Sequence, residues 1–399
     1  MKLCLVAQEY PPETAHGGIG AQTYMKAHAL SAAGHEIVVV SHSVDGKRSE
    51  QSDDGVRVIR IPSADARLPI RSDEVRWLTY SENVAAELAR LESETALDLI
   101  DFPEWASEGY VHLLNINGSN RAASVIHLHG PLIMFADQLG WPDKNSTFFR
   151  VGRHMEETCL RLADAVFSSS ACSADWCARE YGLTRDEIPV IHAGVDLAHF
   201  RRLVVPRDER PTIVFVGKLA RNKGIDLLVE AALALAPDFP DLRLRLIGRG
   251  DLALADALAA RAASGGYPGL VELPGFVSRE NLPAELSRAD IFAAPSIYEG
   301  GPGFVYLEAM ACGLPVLACS GSGASEAVQH GRTGLLVPPG DAGELTEALR
   351  LLLSDAELRT RLSSQAAAFV AGEVDSRECT RRLEAFYNGV VTKRRGTTR

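Results

Sequence analysis

The chain contains no C-x-x-C pair, no apolar run long enough to cross a bilayer and no surplus of positive charge. Each absence removes a class of protein. Its seven cysteines, Cys4, Cys159, Cys172, Cys177, Cys312, Cys319 and Cys379, are odd in number, and several lie in apolar runs. Free buried thiols in a reducing compartment fit that pattern better than a disulfide frame or a zinc site. The opening MKLCLVAQEYPP has one lysine and a short apolar run before charge and proline intervene. It reads as a first strand, too short for a secretion signal. No stretch approaches the roughly 18 to 20 apolar residues of a membrane helix. A formal net charge of -11 speaks against nucleic acid as the main partner, since counterion release needs a basic face. These features predict a cytoplasmic protein. Peripheral membrane contact is not indicated, and the oligomeric state stays open. The basic end, Lys393-Arg394-Arg395 and Arg399, reads as a solvated, frayed terminus.

What is present is a repeated alternation of short apolar runs with helix-like segments. At 399 residues the chain is long for one core, and two domains of roughly 200 residues are expected. Strands are predicted at 3–7, 36–41, 97–101, 124–129 and 165–169, with a helix over 21–33 that stops at Gly34. Strands apolar throughout, separated by helices, are the mark of a parallel sheet covered on both faces. The rhythm breaks at HFRRLVVPRDERP, which is charged, holds two prolines and reads as a linker. It then restarts: strands at 212–216, 242–247, 271–273, 291–294, 316–319 and 334–337, and helices at 224–236 and 251–263. A last helix over 376–391 carries Leu383, Phe386, Tyr387 and Val390 at helical spacing, with Asp375 and Glu378 at its start.

In open α/β sheets ligands bind beyond the carboxyl ends of the strands, so the loops that follow strands should hold the chemistry. YPPETAHGGIG follows the first strand. Gly17 and Gly18 suit either a tight turn into a helix or close approach of backbone to an anion at the helix start. In VIHLHGP, His127 and His129 share one face of a strand; no third metal ligand accompanies them. His127 reads as a packing residue and His129, at the strand end, as a site residue. FVGKLARNKGIDLL ends a strand at Gly217 and sets Lys218 and Lys223 beside a helix start, a receptor for a diphosphate. LIGRGDLA, with Arg249 inside it, matches the dinucleotide fingerprint formally. No acidic residue stands where a ribose would need it, and a hydride-transfer reading is set aside. SIYEGGPGFVYLEAMACGLPV places Glu299 in a glycine-rich loop and Glu308 one turn into the next helix. Carboxylates accept hydrogen bonds from vicinal hydroxyls, so a diol receptor beside two lysines describes a site for a nucleotide-diphosphate sugar.

GGIG, GHEIVVVS, HLHG, VIHAGVD, VGKLARNKGIDLLVEAA, GFVSRENLPAELSRADIFAAPSIYEG, VYLEAMACGLPVLA and GRTGLLVPPGD together resemble the retaining GT-B glycosyltransferases of the large family 4 type, over most of the chain. The resemblance implies an α/β architecture of two Rossmann-like, doubly wound parallel-sheet domains facing a central cleft. An acceptor-binding domain over 1–200, a linker over 201–210 and a donor domain over 211–375 are expected, with helix 376–391 packing back on the first domain. The resemblance assigns Glu308 to the donor ribose, Glu299 to the transferred sugar, and Lys218 and Lys223 to the diphosphate. His129 falls beside the donor sugar, Gly17 and Gly18 by the phosphates and acceptor, and Phe276 and Val277 against the base. Gly217, Arg249, Gly303, Phe304 and Val305 complete the implied donor site.

Two features depart from the family pattern. Eight residues separate Glu299 from Glu308 where the family has seven, and position 218 is lysine where arginine is usual. The expected reaction is transfer of a sugar from a nucleotide-diphosphate sugar to an acceptor hydroxyl, with retention and without cofactor or essential metal. UDP-sugars are favoured, with GDP- and ADP-sugars as alternatives. A sugar-nucleotide epimerase or hydrolase on the same fold is the rival reading, and a non-catalytic nucleotide-sugar binding protein a third.

Overall fold

The computed structural model describes residues 1–14, 18–63, 72–115, 121–206 and 209–396. The chain divides into two compact units, 1–193 with 377–399, and 194–376.

In the first unit the order is β1 (Lys2–Val6), α1 (Gly18–Ala32), β2 (Glu36–His42), β3 (Ser49–Asp53), β4 (Val56–Ile61), α2 (Asp73–Glu94) and β5 (Leu99–Pro103). Then come α3 (Tyr110–Leu114), β6 (Ala123–Leu128), α4 (Leu132–Leu139), α5 (Thr147–Leu162), β7 (Ala165–Ser168) and α6 (Ala171–Tyr181). The sheet runs β3-β4-β2-β1-β5-β6-β7 and is parallel except for β3. The antiparallel β3–β4 hairpin was not foreseen from the sequence. It turns at Asp54-Gly55, both at positive φ, which is the aspartate–glycine signal of a tight hairpin.

Alternation along β1 and β2 separates two apolar cores. Cys4, Val6, Val38 and Val40 face Tyr80, Val84 and Leu88 of α2 and Cys159 and Leu160 of α5. Leu3, Leu5, Ile37 and Val39 face the other way, onto Ala27 and Leu30 of α1. That second face is also covered by Leu383, Tyr387, Val390 and Val391 of α14 (Ser376–Gly396), reached only after the chain has built the second unit. The basic end is not frayed up to residue 396: α14 continues through it, and Arg395 pairs with Asp98 at 2.5 Å and Arg394 with Asp164 at 3.7 Å. Carboxylates at the amino ends of β5 and β7 supply the countercharge that the basic run alone does not reveal.

The second unit holds β8 (Thr212–Val216), α7 (Ile225–Leu235), β9 (Arg243–Ile247), α8 (Leu252–Ser264), β10 (Val271–Gly275), α9 (Leu282–Ser287) and β11 (Ile291–Ala294). α10 (Phe304–Ala311), β12 (Val316–Cys319), α11 (Ala324–Ala327), β13 (Gly334–Val337), α12 (Ala342–Ser354) and α13 (Ala356–Glu373) complete it. Its sheet, β10-β9-β8-β11-β12-β13, is parallel throughout. Residues 194–200 group with this unit, since the Val195 amide donates to the Val374 carbonyl at 2.8 Å and Phe200 is buried in its core. The Leu203 amide donates to Ser287 Oγ at 3.0 Å.

Tyr387 is fully buried in the first unit, and its hydroxyl donates to the carboxylate of Asp101. Tyr387→Ala leaves a cavity and removes a donor from a buried charge, a loss of about 3 kcal/mol or more. The four tryptophans, Trp77, Trp105, Trp141 and Trp176, all lie in this unit, so the fluorescence-detected urea midpoint should drop accordingly; an unchanged midpoint would show that α14 does not stabilise it.

Candidate active site

Four adjacent strands of the second unit, β10, β9, β8 and β11, carry the candidate residues in the loops at their carboxyl ends. After β10 stands Phe276, 58% exposed, with the Arg249 guanidinium from the loop after β9 centred 4.0 Å over its ring. After β8 stand Lys218, exposed, and Lys223, whose Nζ lies 2.7 Å from Glu299 Oε1 in the loop after β11. Along the sheet edge the order is therefore aromatic ring, cations, carboxylate. Val277 packs partly against the core.

Glycine is required where these loops touch. Gly248 has φ of 152°, and a Cβ there would lie 1.8 Å from the Gly217 carbonyl oxygen. Next to it Leu219 and residues 249–251 exchange backbone bonds of 2.8 and 2.7 Å, and Asp251 caps α8 by accepting from the Leu254 amide. The formal dinucleotide fingerprint is thus explained by loop packing.

Glu308, one turn into α10, is only 2% exposed, and the Arg279 guanidinium lies 2.5 Å from its Oε1. The sequence pictured this carboxylate ready for a diol; it already holds a cation. The glycine-rich turn before α10 packs on a neighbouring loop. The Glu299 carbonyl accepts from the Gly323 amide at 2.8 Å, and Gly323 lies so close to Gly301 that a Cβ would meet it at 2.4 Å. Gly303, at φ of 67°, then opens α10, followed by Phe304 and Val305.

In the first unit the polar groups also collect at strand ends. β6 stops at Leu128, so His129 is the first residue beyond it. A turn with Ala106 and Ser107 at positive φ follows β5, which lies between β1 and β6. It sends one buried carboxylate to each neighbour. Glu104 accepts from the amides of His129, at 2.7 Å, and Gly130; Glu108 accepts from the Gln8 amide at 3.0 Å. Glu156 on α5 accepts from the Leu132 amide at 2.9 Å and from the Tyr181 hydroxyl at 2.6 Å. The loop bearing His129 is thereby fixed from two sides. His127 is a packing residue, stacked on Phe167 with centroids 4.2 Å apart, and its Nδ1 lies 3.2 Å from Lys26 Nζ. Lys26 also pairs with Asp101 at 2.5 Å.

The structure thus brings together Lys223 with Glu299 and Arg249 with Phe276. Lys218 makes no ion pair among the described residues. Gly18 begins α1, and with His129 belongs to the first unit; Gly17 lies outside the described residues. Sequence reasoning missed Arg279, Lys26, Asp101 and Glu104. The last two had a signal, since carboxylates in the apolar run LDLIDFPEW need partners. Lys26 had none, because a helical lysine reads as surface. Among the described residues no group of three or more His, Cys, Asp or Glu could hold a metal ion, and no helix is long and apolar enough to cross a membrane.

The family model described as "Glycosyl transferases group 1" matches residues 199–369, and that described as "Glycosyltransferase Family 4" matches residues 16–199. The chain is 28% identical over 384 residues to a glycogen synthase of Mycobacterium tuberculosis, covering 92% of this chain and 90% of that one. Sucrose-phosphate synthase of Thermosynechococcus elongatus superposes with a TM-score of 0.81 at 21% identity, over 98% of this chain and 99% of that one. Anabaena HepE in complex with UDP-glucose gives 0.74 at 20% identity, over 98% and 100%.

Burial pushes Glu104 up to about 7, and Glu108 and Glu156 up to about 8. It drives His129 down to about 3, His112 down to about 4, and His127 well below its ordinary range. The raised carboxyls favour the fold below their unfolded value, and that contribution is lost as pH rises through about 8. The lowered histidines disfavour it in acid, an effect that fades as pH rises past roughly 6.5. Between about pH 6.5 and 8 the carboxyl effect outweighs what is left of it. The tryptophan-detected urea midpoint should fall across that window, and Glu156→Gln should flatten the fall. Equal slopes in the two proteins would contradict this.

Proposed function

The chain belongs to the group 1 glycosyltransferases of the GT-B fold, enzymes that take nucleotide-sugar donors, and from that premise we propose that it moves a hexosyl group from a UDP-sugar to an acceptor hydroxyl, with retention and without a metal. One observation carries the reading: the order of aromatic ring, cations and carboxylate along the carboxyl edge of β10-β9-β8-β11. A nucleotide-diphosphate sugar has its base, charge and sugar in the same order.

In this reading Phe276 and Val277 pack on the base, and Glu308 accepts from the ribose hydroxyls. Lys218 and Lys223 face the diphosphate, with Gly217 and Arg249 lining its loops. Departure of the diphosphate builds negative charge on its terminal oxygens, and cations already in place stabilise it without reorganisation. Lys223 is held by Glu299, so its charge is fixed before the donor arrives. Glu299 turns its remaining acceptor capacity to the sugar, and Gly303, Phe304 and Val305 open the helix beside it. His129, with Gly17 and Gly18, belongs to the sugar and acceptor side. The acceptor hydroxyl forms its bond to the anomeric carbon on the face that the diphosphate leaves, and its proton passes to the departing phosphate oxygen. The UDP preference draws support from HepE, which shares the fold and is complexed with UDP-glucose.

Lys223→Ala should lower turnover by about 100-fold or more, the size of effect seen when a preorganised charge-stabilising group is lost. Near-normal turnover would sink the phosphate assignment. A thermal-shift panel of UDP-, GDP-, ADP- and deoxythymidine diphosphate sugars identifies the donor, since a ligand bound only by the folded state raises the melting temperature. Activity that survives EDTA and a product keeping the donor's anomeric coupling in proton NMR are the further expected outcomes.

A further inference from the structure

Glu308 is the most enclosed carboxylate among the proposed donor residues, and its partner comes from outside its own helix. Arg279 reaches it from the segment between β10 and α9, at 2.5 Å. Arg279 is itself held in place. Its guanidinium lies 4.8 Å over the Phe200 ring, and its backbone carbonyl faces His199 Nε2 at 2.9 Å. Its side chain is 41% exposed. The geometry points to Arg279 as a positioning residue for the donor: it keeps the Glu308 carboxylate charged and oriented to accept both hydroxyls of a ribose. The inference rests on the reading of Glu308 as the ribose acceptor.

The chemistry turns on the proton. A vicinal diol donates two hydrogen bonds and needs an acceptor without one; a neutral carboxyl would present its own O–H to the sugar. Burial pushes Glu308 above its ordinary carboxyl value, with Arg279 and then His199 working against the rise. Other groups near it are Cys312 at the C-terminal cap of its helix, whose thiol is pushed by burial up to about 12, and Arg202, which reaches the Cys312 and Gly313 carbonyls there. Of these cations, Arg279 is paired with the carboxylate. Remove it, and burial should hold a proton on the acid to higher pH than in the intact protein. The segment that follows the base-binding residues would then control ribose affinity through a charge that need not itself contact the nucleotide.

The test uses the full-length protein and calorimetric binding of UDP, GDP and ADP, taking the nucleotide that binds. The ratio of variant to wild-type Kd is followed from about pH 6 to 9, so that titration of the phosphates divides out. For Arg279→Ala the ratio should be small at the alkaline end and climb by about tenfold or more toward the acid end. Arg279→Lys, which restores a cation, should keep the ratio flat. Glu308→Gln should weaken binding at every pH, with no trend of its own. Thermal melting of each variant confirms that it is folded. A flat ratio for Arg279→Ala, with Glu308→Gln still weakened, overturns the role of Arg279 and leaves the ribose reading standing. Unaltered binding by Glu308→Gln overturns the ribose reading and the role of Arg279 with it.

Discussion

A parallel sheet buried on both faces leaves polar chemistry open to a ligand only at the ends of its strands. Both units are built under that constraint. β1, β2, β5 and β6 are largely apolar on each side because α1 and α14 cover one face and α2 and α5 the other; the buried Asp101 of β5 is matched by Lys26 and Tyr387. The second unit repeats the arrangement around one large core. The residues able to bind an anion or a diol are therefore gathered in loops after β8, β9, β10 and β11, and their order there is set by strand order rather than by order along the chain.

Much of this could be read directly. Strands Ile291–Ala294, Val316–Cys319 and Gly334–Val337 end where their apolar runs end, because a fully buried strand must stop when polar residues begin. The hairpin Ser49–Asp53 with Val56–Ile61 escaped notice: β3 is polar and mostly exposed, so it lacks the apolar pattern that marks its neighbours. Among site residues, Lys223 and Glu299 were legible as types in loops, but their pairing was not. They lie 76 residues apart, and only the adjacency of β8 and β11 brings them together. Arg279 was invisible for a similar reason, since an arginine in a polar loop reads as solvated until the buried carboxylate it serves is located.

The two units use buried charge differently. In the first, Glu104, Glu108 and Glu156 spend their oxygens on backbone amides and a tyrosine hydroxyl, and so shape loops without reaching solvent. In the second, Glu308 and Glu299 pair with side-chain cations, Arg279 and Lys223. A carboxylate bound to backbone amides is a fixed structural part, whereas one bound to a flexible side chain retains a partner that can be shared or exchanged. Catalytic machinery that must release a charged product needs the second kind.

The crossing of α14 back to the first unit has a consequence for how the protein comes into being. The second unit is continuous from 194 to 376, while the first needs a helix made after it. During synthesis the first sheet emerges with one apolar face covered by α1 alone. It waits through the whole length of the second unit for Leu383, Tyr387, Val390 and Val391 to arrive. The unit that comes second in the sequence is thus the first able to finish folding. Through that interval the exposed face of the earlier one is a natural site for chaperone engagement or misassembly.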